Sequence, residues 1–242
     1  MRNQTQAMAD VSALRDRLEQ MQGRRMSAPV LPTHPAFSHL LPGGGLKPGS
    51  AYALASSSAL LLALMARASQ DGAWCAVVGM PDLGAEAAEK YGLDLDRLVF
   101  IPDPGPRWLA VTATIADVLP VVAVRPPRQA HRQAQASAGG AEVSRLAARL
   151  RERGSVLLVQ GSWPQAEAVI DVADPRWSGL GAGHGYLAGR ELTVSVASRR
   201  SPNPRRARML LPAADGSVAL IDRVAAAPEV RPAAPYPVRA VG

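Results

Sequence analysis

Residues 43–66 read GGGLKPGSAYALASSSALLLALMA. Glycines open the stretch, Lys47-Pro48-Gly49 makes a turn, and residues 51–55 form a short apolar run. Ser56, Ser57 and Ser58 follow, and residues 59–68 are rich in Leu and Ala, which are strong helix formers. Turn, strand, small-residue loop and helix, in that order, are the layout of a nucleotide-binding fold at its phosphate loop. The side chains do not match the layout. A working phosphate loop has a Lys and then a Ser or Thr where the helix begins, to meet phosphate and magnesium. Ala59 and Leu60 stand there instead.

Downstream, strand and helix signals alternate. Asp71-Gly72 ends the first helix. Residues 74–78 are an unbroken apolar run, as expected for a strand buried on both faces. The pattern continues with a helix over 85–91, a strand over 98–101 and a helix over 108–119. Trp108, Val111, Ile115 and Leu119 share one face of that last helix. Strands over 121–124 and 156–159 flank a helix over 141–153, in which Val143, Leu146, Ala147 and Leu150 face inward. Pro120 and Gly154 end the two helices. The alternation predicts an α/β fold, a mostly parallel sheet with helices on both faces.

Beyond residue 160 the signal weakens. Residues 169–172 and 192–197 read as strands, and 179–189 as a glycine-rich loop holding His184. Residues 209–211 and 218–221 read as a hairpin about Ala214-Asp215-Gly216. Upstream, Val11, Leu14, Leu18 and Met21 recur at helical spacing behind a capping Asp10. A proline-rich connector follows over 23–45, with Leu40 and Leu41 as its anchors to the core. The resulting domain reading is 1–40 helix and linker, 41–222 the α/β domain, and 223–242 a flexible Pro-, Ala- and Arg-rich tail.

The 242 residues are 48% hydrophobic, enough for one sizeable core, but only 4% aromatic, so Ala, Val and Leu must fill it. A net charge of +7 favours an acidic partner such as nucleic acid or an acidic protein surface. Cys75 is the single cysteine, which excludes an intrachain disulfide and a Cys-based metal cluster, and its apolar neighbours predict burial. The N-terminus is polar and charged past residue 20, unlike a secretory signal. The most apolar window, 51–66, is short and broken by serines, which argues against a membrane span. The expected location is the cytoplasm, with no membrane partner.

Residues 41–160 resemble the RecA recombinase core. LPGGGLKPGSAYAL at 41–54, EKYGLDLDRLVF at 89–100, and the strand at 156–159 followed by Gln160 carry that resemblance. WSGLGAGHGYLAGRELTVSVASRR at 177–200 is similar to the C-terminal part of the ImuA-like group of RecA relatives, in its diverged actinobacterial ImuA-prime branch. The resemblance implies a RecA-like core with a degenerate phosphate loop. It further implies a non-polymerase accessory of a DNA-damage-inducible (SOS-response) complex for translesion synthesis. The partners so implied are a catalytically inactive Y-family polymerase homologue and an error-prone replicative-type polymerase. Matching the motif puts Ala53 at the first loop glycine, Ser58 at the second, Ala59 at the lysine and Leu60 at the magnesium-ligating hydroxyl. Met80 falls at the glutamate that activates water, Arg125 where a metal-side Asp is expected, and Gln160 at the nucleotide-sensing Gln. Phosphate neutralisation, magnesium binding, water activation and metal orientation are all missing from those positions, and a cationic Arg125 repels magnesium. No cofactor, no metal and no enzymatic activity are therefore expected. The rival reading is an ATP-dependent DNA-repair ATPase with an atypical phosphate site, in which Lys47 or Arg125 substitutes by charge. Lys47 precedes the first strand, at the wrong end of the sheet, whereas Arg125 lies at the right one.

Other candidates carry less. Asp82 and Glu86, weighed as an acid–base pair, read as loop charges, and Asp94 and Asp96 as a polar turn. No His, Cys or Asp cluster surrounds His184 at metal-ligand spacing. His34 and His39 suggest no site, and there is no nucleophile elbow. Arg199, Arg200, Arg205, Arg206 and Arg208, interleaved with Pro202 and Pro204, read as an Arg-rich loop able to contact phosphates without reading sequence. Arg125, Arg128, His131 and Arg132 form a second basic patch. A solvated face, nucleic acid and an acidic protein remain open for both. The resemblance adds self-association, through the helix at 10–22, as another open contact.

Overall fold

The computed structural model describes residues 30–127, 139–181, 184–199 and 201–224. The helix expected at 10–22, Arg128, His131, Arg132, Arg200 and the tail from 225 onward lie outside the described residues.

Five short strands make the parallel half of the sheet: β1 (Ala51–Leu54), β2 (Cys75–Val78), β3 (Leu98–Ile101), β4 (Val121–Val124) and β5 (Val156–Gln160). Four longer ones extend it: β6 (Ala168–Gly181), β7 (His184–Ser198), β8 (Ser201–Leu210) and β9 (Ala219–Val224). The nine strands form one sheet in the order β3-β2-β4-β5-β1-β6-β7-β8-β9. Pairings from β3 across to β6 are parallel, and those from β6 to β9 are antiparallel. The fold is α/β with a mixed sheet.

Burial explains the short strands. Every residue of β1, β2, β4 and β5 is buried, because alternate side chains leave to opposite faces and both faces are covered. Tyr52, Leu54, Val77 and Leu158 pack against helix α2 (Ser58–Gln70) and helix α3 (Ala85–Lys90). Ala76, Val78, Val122 and Val159 pack against helix α4 (Trp108–Ala116) and helix α5 (Gly139–Arg153). Cys75 lies wholly inside, and burial pushes its thiol up to about 12. The connector belongs to the same core. Leu31 and Leu46 bridge antiparallel, a single-turn helix α1 spans Pro35–Ser38, and Phe37, Leu40 and Leu41 are buried against α2.

The structure differs from the sequence reading in three places. α4 ends at Ala116 and not at residue 119; Trp108, Thr112 and Ala116 are its fully buried residues, while Val111 and Ile115, and Leu119 beyond it, are half-buried against the same core. Thr112 fits there because its hydroxyl donates to the Trp108 carbonyl at 2.8 Å. The glycine-rich segment at 179–189 is not a separate loop: β6 and β7 run through it as a hairpin. Gly179 sits at a register shift with φ +101°, where a Cβ would lie 2.2 Å from the Tyr186 carbonyl oxygen. The Arg-rich run is strand β8, not a loop. Pro202 and Pro204 fall in its irregular start, between the Ser198–Ser201 and Val196–Arg205 pairs, where the ladder is interrupted. The hairpin expected about residues 214–216 is present as β8 and β9.

Leu158 is fully buried in the centre of the sheet, and Val118 is 77% exposed after α4. Leu158→Ala should lower the urea unfolding free energy by about 2–5 kcal/mol. Val118→Ala should stay within about 0.5 kcal/mol of the parent.

Candidate functional site

The crevice at the C-terminal ends of β1–β5 is where an open α/β sheet holds its chemistry. The chain leaving β2 enters α3 on one face, and the chain leaving the adjacent β4 enters α5 on the other. Such a reversal between neighbouring strands opens a gap above their ends. Here the gap is bridged. Arg125 follows β4 directly, its Nε donating to Gln160 Oε1 at 2.8 Å and its Nη1 donating to Asp82 Oδ1. Asp82 lies after β2 and Gln160 closes β5, so one guanidinium ties three strand ends together.

Backbone packing fixes this arrangement. Arg125 N donates to the Val78 carbonyl at 3.0 Å, and Gly79 N to the Ile101 carbonyl at 2.9 Å. Gly79 has φ +75°, and a Cβ there would lie 2.5 Å from the Arg125 carbonyl oxygen. Only glycine meets both conditions without displacing the Arg125 backbone. Gln160 is 3% exposed. A guanidinium has donors only, so the amide must turn its oxygen toward Arg125. Its Nε2 is then left buried with no hydrogen-bond partner. An unsatisfied buried donor of this kind costs about 1–3 kcal/mol. The Asp82 side chain is 63% exposed, and the hydrogen bond from Arg125 holds its carboxyl below the usual aspartate range.

The strand-to-helix passage beside it is short. Three residues, Ala55 to Ser57, separate β1 from α2. Ser57 is the N-cap, its Oγ accepting from Leu60 N at 3.3 Å, so that one of the amides of the first turn is already engaged. Ala53 lies within β1 at 2% exposed, and Ser58 and Ala59 are in the first turn of α2. Leu60 is fully buried and Met80 1% exposed. Of the positions matched to phosphate and magnesium contacts, Ala53, Ala59, Leu60 and Met80 carry no polar side chain, Ser58 lies in the first turn of α2, and Arg125 is paired with Gln160 and Asp82. Lys47 pairs with Glu167 at 3.9 Å before β1, away from this crevice.

The family model of the MT3502 N-terminal domain matches residues 39–165, more than half of the chain. The chain belongs to the MT3502 N-terminal domain family. It is similar to the uncharacterized protein Rv3395c of Mycobacterium tuberculosis, 34% identical over 172 residues, which are 66% of this chain and 78% of that protein. The MT3502 match takes in β1–β5 with Asp82, Arg125 and Gln160, and ends before β6.

The remaining basic candidates fall elsewhere. Arg205 Nη1 donates to the carbonyls of His39 and Leu41 at 3.1 and 3.4 Å, fastening the connector to β8. Arg208 pairs with Glu191. Arg206 is exposed on the strand face that Ser195 shares, and Arg199 is exposed in the β7–β8 turn. Asp82 engages Arg125, and Glu86 is exposed in the first turn of α3. Asp94 accepts from Asp96 N at 3.0 Å in a polar turn. His34 Nδ1 caps α1, accepting from Ala36 N at 3.3 Å, and burial lowers its pKa. His184 begins β7 at the hairpin tip. Among the described residues no group of three or more His, Cys, Asp or Glu is placed to hold a metal ion. None of their helices is long and apolar enough to cross a membrane.

The Asp82–Arg125 pair has a pH signature. The folded-state pKa of Asp82 lies below its unfolded value, so the pair's contribution is present above the ordinary aspartate range and fades as pH falls through the folded value. An NMR titration of the Asp82 carboxyl should therefore show a depressed pKa that returns to the ordinary range in Arg125→Met. The same titration in both proteins would contradict the assignment.

Proposed function

We propose that this MT3502-family chain is a non-catalytic adaptor in a mutagenic translesion DNA synthesis complex, built on a RecA-like core whose nucleotide site is lost. The observation that supports it most is the crevice itself. The sheet has a parallel half with a strand–loop–helix at the position matched to the phosphate loop, while an Asp82–Arg125–Gln160 link occupies the strand ends. Phosphoryl transfer depends on positioned cations and metal, and an arginine held by a carboxylate and an amide supplies neither to a nucleotide. A scaffold that kept its sheet and lost that chemistry has binding as its remaining use.

In this reading the chain acts in the cytoplasm, and its main partner is the polymerase-like protein of the complex. Arg199 and Arg206 are exposed, and in this reading they meet DNA or an acidic protein surface.

The test is affinity capture of a tagged full-length chain from its own host, before and after DNA damage. The reading expects an inactive Y-family polymerase homologue to be recovered, more abundantly after damage. Capture without any polymerase-like protein above an untagged control would overturn it.

A further inference from the structure

The β6–β7 hairpin outruns the rest of the sheet. On one side β1 stops pairing with β6 at Ile170, and on the other β8 stops pairing with β7 at Glu191. The hairpin ladder itself runs on to Gly181 and His184. Its end, residues 177–190, is therefore a two-stranded arm with no described strand on either side. Trp177, Leu180, Tyr186 and Leu187 all lie on this arm, each about half exposed or more, and Tyr186 is 91% exposed. A two-stranded ribbon has no second layer in which to bury such side chains. Large apolar residues grouped in water mark an interaction surface.

The base of the arm is held in place. Arg190 N donates to the Pro212 carbonyl at 2.8 Å, and Leu211 N donates to the Arg190 carbonyl at 2.7 Å. Arg190 Nε donates to the Leu211 carbonyl at 2.9 Å, and its guanidinium carbon lies 5.2 Å from the centre of the Trp177 ring. Across the ribbon, Ser178 Oγ donates to the Gly189 carbonyl at 3.3 Å. The apolar end is thus carried on an ordered stalk, which reduces the ordering cost of a contact.

We propose that this arm docks into an apolar groove on a different protein, with Leu180, Tyr186 and Leu187 as the inserted side chains. Charge favours that occupant over nucleic acid. Between residues 174 and 191, Asp174 and Glu191 offset Arg176 and Arg190. The arm, unlike the chain as a whole, offers a phosphate backbone no excess of positive charge. Leu180 and Leu187 also have no ring on which a base could stack. A second copy of the chain is a poor match. Three of its described cavities are lined by Arg205, by Arg67 with Lys90, and by Lys47 with Arg151, whereas the arm calls for an uncharged wall. The docking role stands independently of the adaptor reading.

The experiment places the photo-cross-linker p-benzoylphenylalanine at Tyr186 in the full-length chain, expressed in its own host. The same probe at Val118, exposed after α4, is the control. Irradiation should join the Tyr186 probe to one other protein, with the attachment mapped by mass spectrometry to an apolar segment of it. The Val118 probe should not form this adduct. Adding Leu180→Ser and Leu187→Ser should lower the adduct yield by about ten-fold or more, since two apolar contacts are lost. Both leucines are exposed, so the urea unfolding midpoint should stay at the parent value.

A nuclease-sensitive adduct would overturn the proposal in favour of nucleic acid, and an adduct of twice the chain's mass would overturn it in favour of a second copy. Absence of any adduct, equal yield from Val118, or a yield indifferent to the two leucine substitutions would also overturn it. A polymerase-like protein in a leucine-dependent adduct would support the arm and the adaptor reading together. A leucine-dependent adduct with an unrelated protein would support the arm and separate it from that reading.

Discussion

The passage from Leu54 to Ser58 takes only three residues, and the rest of the crevice follows from that constraint. β1 is buried along its whole length, so it cannot yield residues to a longer loop. α2 cannot unwind a turn either. Leu60, Leu61 and Leu62 are all buried in its first half, and exposing any one of them would cost about 1.5–3 kcal/mol. Ser57 closes the helix by capping it. A loop that wraps phosphates needs free inward-pointing amides and room between strand and helix. In the proposed reading, hydrophobic packing on both sides leaves such a loop no room.

Arg125 completes the closure from the other direction. A positive charge at the end of β4, bound by Gln160 and Asp82, provides the strand ends with their own counter-ion arrangement. Gly79 lets the two loops approach closely enough for this, since a side chain there would press on the Arg125 backbone. The sheet below is rigid by burial, whereas the Asp82 end of the link faces water.

The parallel half of the sheet was legible because strands buried on both faces are written as unbroken runs such as Cys75–Val78 and Val121–Val124. Turn glycines and prolines punctuate them. The antiparallel half was harder to read. β6 to β8 carry register shifts, and Gly179, Pro202 and Pro204 look like loop residues until pairing partners are known. The arginines of β8 alternate between faces, so Arg205 serves the connector while Arg206 and Arg208 lie on the opposite side.

The crevice residues were partly visible. Arg125 and Gln160 stood out at strand ends, but nothing in spacing joins Asp82 to a partner 43 positions away. The connector's role was also understated, because burial of Phe37 and the Leu31–Leu46 bridge depends on β8 and α2 folding against it.

The most direct test of a closed nucleotide site is calorimetric titration of the full-length chain with ATP in the presence of magnesium. The account predicts no saturable heat up to millimolar nucleotide. Magnesium-dependent saturation in the micromolar range, lost in Arg125→Met, would contradict it.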